Sequence, residues 1–201
     1  MEGSCDQLGR KSAQVIEAAV AEFQEMGYSS ASMDRISARA EVSKRTLYKY
    51  FKSKENLFRS IVQVLSDRFA DALDVKYQPD RDIREQLLDL AWAEGRLLIS
   101  PDVMAMARMI ISETLRNPEL AEAAQGKIDS KPVFVAMLSD ADNDGQLKVG
   151  DAEVAASEFI GLLKAKSFWP VIFGAPIVSE TEMARIVEST VEMMMCRYGT
   201  N

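Results

Sequence analysis

The chain has 201 residues, is 47% hydrophobic, carries a net charge of −7, and contains two cysteines and no histidine. That length and apolar content allow one or two domains with a sizeable core. The lack of histidine excludes Ser–His and Cys–His nucleophilic chemistry, histidine metal ligation and a histidine general base.

Cys5 and Cys196 make no disulfide framework, and no glycine-rich phosphate loop occurs. Acidic residues cluster at expected helix starts, where the helix dipole accounts for them. The chain is therefore read as a non-enzyme without a cofactor. Met1 to Arg10 is polar and lacks the apolar segment of a signal peptide, and no run approaches the length of a membrane span. A reducing cytoplasm is the expected setting.

Residues 1–9 read as a disordered tail. From Arg10, the positions Val15, Ile16, Ala19, Val20, Phe23 and Met26 repeat at helical spacing, and Gly27 closes the helix. Ser32 then stands as an N-cap before a short helix with Met33, Ile36 and Ala40 on its apolar face. Glu41-Val42 makes a turn, and Ser43 caps a second short helix, in which Val42, Leu47 and Phe51 point inward. Its other face offers Lys44, Arg45, Thr46, Tyr48 and Lys49. So short a helix is not stable alone, and its outward face is expected to serve a partner.

Charge points to nucleic acid as that partner. From Ser29 to Lys54 the net charge is +5, which leaves −12 on the rest of the chain. A basic island in an acidic protein is a focused phosphate footprint. Tyr48 and Tyr50 add side chains suited to phosphate and thymine-methyl contacts.

Gly27-Tyr28, Ile36, Ala40, Val42-Ser43, Thr46-Leu47-Tyr48, Tyr50-Phe51, Lys54-Glu55 and Leu57-Phe58 together resemble the TetR family of bacterial repressors. The resemblance implies an all-α fold: an N-terminal three-helix, helix-turn-helix domain (1–53), joined by a long helix to an effector-binding and dimerisation domain (54–201). It implies that Lys44, Arg45, Thr46 and Tyr48 face the major groove. Tyr50 and Lys54, with the caps Ser32 and Ser43, then hold phosphates, and Lys49 adds to the basic face. Glu41 departs from the family, which more often has glycine there. A non-glycine residue at positive φ costs roughly 1 kcal/mol.

The remainder reads as helix throughout, nine or ten in all. The helix from Lys54 carries Leu57, Phe58, Ile61, Val64, Leu65 and Phe69 and is the expected mechanical link. Asp80 or Asp82 caps the next, which ends at Ser100-Pro101. Pro101 opens a methionine-rich helix stopped by Asn117-Pro118. A helix from Pro118 breaks between Gly126 and Pro132 and resumes to about Ser139. Asp151 caps a helix to Phe168, and the capping box Ser179–Glu182 opens the last, which ends near Gly199. The run from Ser100 to Ala124 resembles the C-terminal domain of the AefR-like subgroup.

Trp92, Met104, Ala107, Arg108, Phe134, Met137, Phe168 and Trp169 are candidate walls of a pliable apolar effector pocket, each also suited to plain core. Arg108, Glu113 and Arg116 interrupt an apolar helix; an Arg108–Glu113 or interhelical ion pair is the simpler reading, and a polar anchor for an effector is the alternative. Asp140, Asp142, Asp144 and Asp151 sit at calcium-loop spacing with Gly145 at the sixth position, against the alternative of an acidic turn and helix cap. Val154, Ala155, Phe159, Leu162, Leu163, Ile186, Val187, Val191 and Met194 read as a two-fold dimer interface.

The expected function is a homodimeric repressor bound to a double-stranded DNA operator and released by a small apolar or amphipathic effector. An effector-independent DNA-binding protein and a calcium-responsive interaction protein are the alternatives.

Overall fold

The computed structural model describes residues 2–200, with side chains from Arg10 onward. Among the described residues there are eleven helices and one isolated β-bridge, Leu147 to Gly199. In chain order these are α1 (Glu2–Ser30), α2 (Met33–Arg39), α3 (Lys44–Tyr50), α4 (Lys54–Ala72), α5 (Ile83–Leu98) and α6 (Pro101–Arg116). Then follow α7 (Pro118–Ala124), α8 (Lys131–Asn143), α9 (Ala152–Ser167), α10 (Trp169–Ile172) and α11 (Glu180–Tyr198). The expected tail is helical from Glu2: no proline interrupts the stretch, so the helix continues through it. Gly27 breaks α1 as expected (φ 74, ψ 155), and one further turn follows it.

Caps set most boundaries. Ser32, Ser43, Asp82, Asp151 and Ser179 each accept a backbone N–H from the first turn of the helix they open. Two elements differ from expectation. α8 runs on to Asn143, and the four-residue α10 follows Phe168 directly, with Pro170 in its first turn.

The chain forms two compact units. The first holds residues up to Leu65 with Ala105–Ile128, and the second holds Ser66–Met104 with residues from Asp129 on. The boundary therefore passes through α4 and α6. In the first unit α1 packs on α2 and α2 on α3. Val15, Ala19, Phe23, Ile36, Leu47, Leu57, Phe58 and Ile61 are buried there. The Tyr28 ring lies between Phe23 and Phe58, at 5.4 and 5.9 Å between ring centres. Each such large apolar side chain contributes roughly 1.5–3 kcal/mol by leaving water.

In the second unit α9 packs between α8 and α11, and α11 packs between α9 and α5. Phe134 meets Phe159 edge-on at 5.1 Å. The stripe expected to form a dimer interface is largely core of the single chain. Ala155, Phe159, Leu163, Ile186, Val187, Val191 and Met194 are all buried, while Leu162 is half-buried and Val154 exposed. The apolar face of α11 is covered by α5 and α9.

Candidate nucleic-acid interface

The turn between α2 and α3 is built from local bonds. Val42 N–H donates to Ser37 O and Glu41 N–H to Ala38 O, closing α2, with Glu41 at φ 52. The positive φ expected at this non-glycine residue is present. Ser43 Oγ then accepts Thr46 N–H at 3.1 Å and shares a proton with Thr46 Oγ1 at 2.8 Å. Leu47 is fully buried and pins α3, so the opposite face is turned outward.

The basic island resolves into used and unused cations. Arg35 pairs with buried Glu22 at 2.5 Å, and Arg39 pairs with Glu25 at 2.5 Å. Lys44 reaches Asp34 at 2.6 Å, both exposed. Arg45, Lys49 and Lys52 have no ion-pair or hydrogen-bond partner among the described residues. Arg45, Tyr48 and Lys49 stand three and four residues apart, on one face of α3, and Tyr48 is 48% exposed. Thr46 and Tyr50 are half-buried, and the Tyr50 ring lies 6.4 Å from that of Phe51. Ser32 caps α2, and its own N–H donates to Glu22 Oε1 at 3.3 Å.

Lys54, which the family resemblance gives to a phosphate, is committed elsewhere. Its Nζ donates to the carbonyls of Tyr28 (2.5 Å), Ser29 (3.0 Å) and Ala31 (3.2 Å) and lies 4.7 Å over the Tyr28 ring. An ammonium has three donors, and all three are taken. Burial pushes its pKa below the ordinary lysine value, and the Glu113 carboxylate opposes that shift. Buried Glu113 itself pairs with Arg116 at 3.7 Å and accepts from Asn117 Nδ2 at 3.1 Å. These partners lie three and four residues on, on the same helical face; Arg108, five residues back, does not.

The pocket candidates divide between the units: Ala107 and Arg108 belong to the first, and the other six to the second. Met104, Ala107, Phe134 and Met137 are buried, Trp92 and Phe168 half-buried, and Arg108 and Trp169 exposed. Phe168 and Trp169 stack edge-on at 5.1 Å. The reading of the sequence missed Glu94, a carboxylate buried on α5, and Lys164 of α9 beside it. A signal was present: Glu94 falls in step with Leu87, Leu90, Ala91 and Leu98 on one apolar stripe.

The calcium-loop alternative fails on geometry. Asp140 and Asp142 lie inside α8, and Asp142 Oδ1 accepts Val149 N–H at 2.9 Å. Asp151 caps α9. Asp144 accepts the Tyr77 hydroxyl at 2.5 Å, and Gln146 Nε2 donates to that hydroxyl at 2.8 Å. Among the described residues no three His, Cys, Asp or Glu side chains converge on one ion position. Burial, then the Asp144 bond and charge, push the Tyr77 phenol up to about 12. A raised pKa means that the fold holds the proton more tightly. Its stabilising contribution is thus complete below about pH 10 and disappears as pH rises through 12. In an alkaline absorbance titration the last phenolate step is expected to vanish in Tyr77→Phe, and millimolar calcium is expected to leave the melting temperature unchanged. Calcium-dependent stabilisation would restore the metal reading.

A capped two-helix motif with a basic, aromatic outward face, followed by a separate helical unit, defines a helix-turn-helix regulator. Residues 15–61 match the family described as bacterial regulatory proteins, tetR family, and residues 85–200 match the AefR-like transcriptional repressor C-terminal domain. The chain belongs to the TetR family of bacterial transcriptional regulators. It is similar to a TetR family regulator of Pseudomonas syringae pv. tomato, with 37% identity over 94% of this chain and 97% of that one and a TM-score of 0.78. The HTH-type transcriptional repressor SCO4008 of Streptomyces coelicolor is 33% identical over 168 residues, 80% of this chain and 78% of that protein. The flavonoid-responsive regulator FrrA is 29% identical, with 96% and 99% of the two chains covered and a TM-score of 0.72. No helix among the described residues is long and apolar enough to cross a membrane.

Proposed function

We propose that the protein is a cytoplasmic homodimeric repressor that holds a double-stranded DNA operator and is released by a small amphipathic effector. Residues 1–53 are assigned to DNA and 54–201 to effector binding and dimerisation. The observation that carries the reading is the unpartnered face Arg45–Tyr48–Lys49 on a helix pinned by Leu47. Free cations beside an exposed tyrosine suit base edges and phosphates. The flavonoid-responsive relative supports an aromatic, amphipathic effector.

Dimerisation is assigned to the outward faces of α9 and α11, where Val154 and Met193 are 48% and 40% exposed. Release then runs through α4 and α6, the two helices shared by both units. Such coupling is reciprocal: DNA must weaken effector binding by the factor that effector weakens DNA binding, typically roughly 5–150-fold.

Footprinting on DNA flanking the protein's own gene tests this. Two protected half-sites about one helical turn apart are expected, lifted by small-molecule extract of the host. Light scattering should give a dimer mass, and Val154→Glu with Met193→Glu a monomer that loses the paired footprint. Protection that no extract lifts would assign an effector-independent DNA-binding protein. A monomeric parent would remove the dimer.

A further inference from the structure

Five residues of α5 form a stripe without solvent exposure: Leu87, Leu90, Ala91, Glu94 and Leu98. Four are apolar and one is a carboxylate. Among the described residues neither oxygen of Glu94 has a hydrogen-bond donor. The Lys164 ammonium lies 3.0 Å from Glu94 Oε1, near enough for charge but out of hydrogen-bonding alignment. Lys164 is itself mostly buried, 23% exposed, and sits 5.7 Å over the Phe168 ring. A carboxylate in a dry core is costly unless its lone pairs are filled, and a leucine here would pack without that cost. So placed, the pair calls for a donor that is absent among the described residues.

We infer that Glu94 and Lys164 are the polar anchor of the effector site and that they take a phenolic hydroxyl. This rests on the effector-released reading above. The two charges decide the ligand's chemistry. A cationic ligand is repelled by Lys164, and a carboxylate ligand is repelled by Glu94. A hydroxyl satisfies both, donating its proton to Glu94 and accepting from Lys164. A phenol is a stronger donor than an aliphatic alcohol, and hydrogen bonds to an ionised acceptor are the strong ones. The ligand's remaining surface is apolar, to match Leu90, Leu98 and Phe168. At the next residue the packing is tight: the Met183 Cε methyl lies 2.8 Å from where a Cβ would stand at Gly95. A ligand bound there has to displace the Met183 side chain, a flexible one that can yield without moving backbone.

The test uses the full chain and two phenols, para-tert-butylphenol and para-phenylphenol, each against its methyl ether. Ether formation keeps the shape and removes the donor. Calorimetric titration should show the phenols binding at least about tenfold more tightly than the ethers, a preference that Glu94→Gln, which keeps only a neutral acceptor, reduces. Should that variant fail to fold, the double substitution Glu94→Leu with Lys164→Met replaces the pair by apolar side chains. It should melt at or above the parent temperature and lose the phenols. Equal affinity for phenol and ether, binding of neither, or undiminished phenol binding by the double variant would each overturn the assignment. Binding of neither would leave the pair to buried water. The compound-free parent is footprinted in parallel, so intact operator protection without phenol binding fails this inference alone.

Discussion

Arg45→Ala and Tyr48→Ala should each lower specific operator affinity by roughly 1–3 kcal/mol, about fivefold to 150-fold, while leaving the melting temperature near that of the parent. Neither side chain has a hydrogen-bond or ion-pair partner among the described residues, and both are exposed on α3. Surface substitutions of that kind change stability by no more than about 0.5 kcal/mol. The loss therefore lies in the complex. Lys49→Ala and Lys52→Ala should behave differently. As free cations suited to phosphate, they should weaken binding to every sequence and flatten the salt slope by about 0.9 each. Lys44→Ala should fall between, because Lys44 must first leave Asp34, although an exposed pair of this kind is weak. Gel-shift titrations over a salt series separate the three behaviours. Unchanged operator affinity in both Arg45→Ala and Tyr48→Ala would remove α3 from the DNA.

What the chain discloses on its own is mostly local. Ser32, Ser43, Asp151 and Ser179 cap the helices that their positions announce, because a cap needs only the next three residues. Glu41 is legible for the same reason, as a turn closed by Ser37 and Ala38. Partnership across the chain is not legible. Seven cations between Arg35 and Lys54 look alike in sequence. Glu22 and Glu25 of α1 decide that Arg35 and Arg39 are not among those left free. The apolar stripes of α9 and α11 likewise fit a second copy or the same chain equally well, until α5 is known to cover them. The acidic run at Asp140 reads as a loop by composition, yet α8 continues through Asn143 and closes with Gly145 at φ 76. Glu94 was visible as a charge out of place on an apolar stripe, but Lys164, seventy residues away, was not visible as its neighbour.

Lys54→Met should reduce DNA affinity without changing the salt slope, the reverse of a phosphate contact. The three carbonyls that Lys54 caps belong to Tyr28, Ser29 and Ala31, which join the break at Gly27 to the cap of α2. Losing charged hydrogen bonds of this kind costs roughly 1.5–3 kcal/mol, discounted where water replaces the lost donors, so about 2 kcal/mol of stability is expected to go. α2 and α3 are then held less firmly against α1, and fewer molecules present Arg45, Tyr48 and Lys49 together. Affinity falls by the fraction of molecules misplaced, while the number of neutralised phosphates in the bound state stays the same. Lys54→Arg keeps the charge but replaces a compact ammonium by a planar fork that cannot converge on three carbonyls. It should therefore lose stability nearly as Lys54→Met does, whereas a simple phosphate contact would be rescued by arginine. A slope lowered by about 0.9 in Lys54→Met, with full rescue by Lys54→Arg, would return Lys54 to the DNA backbone.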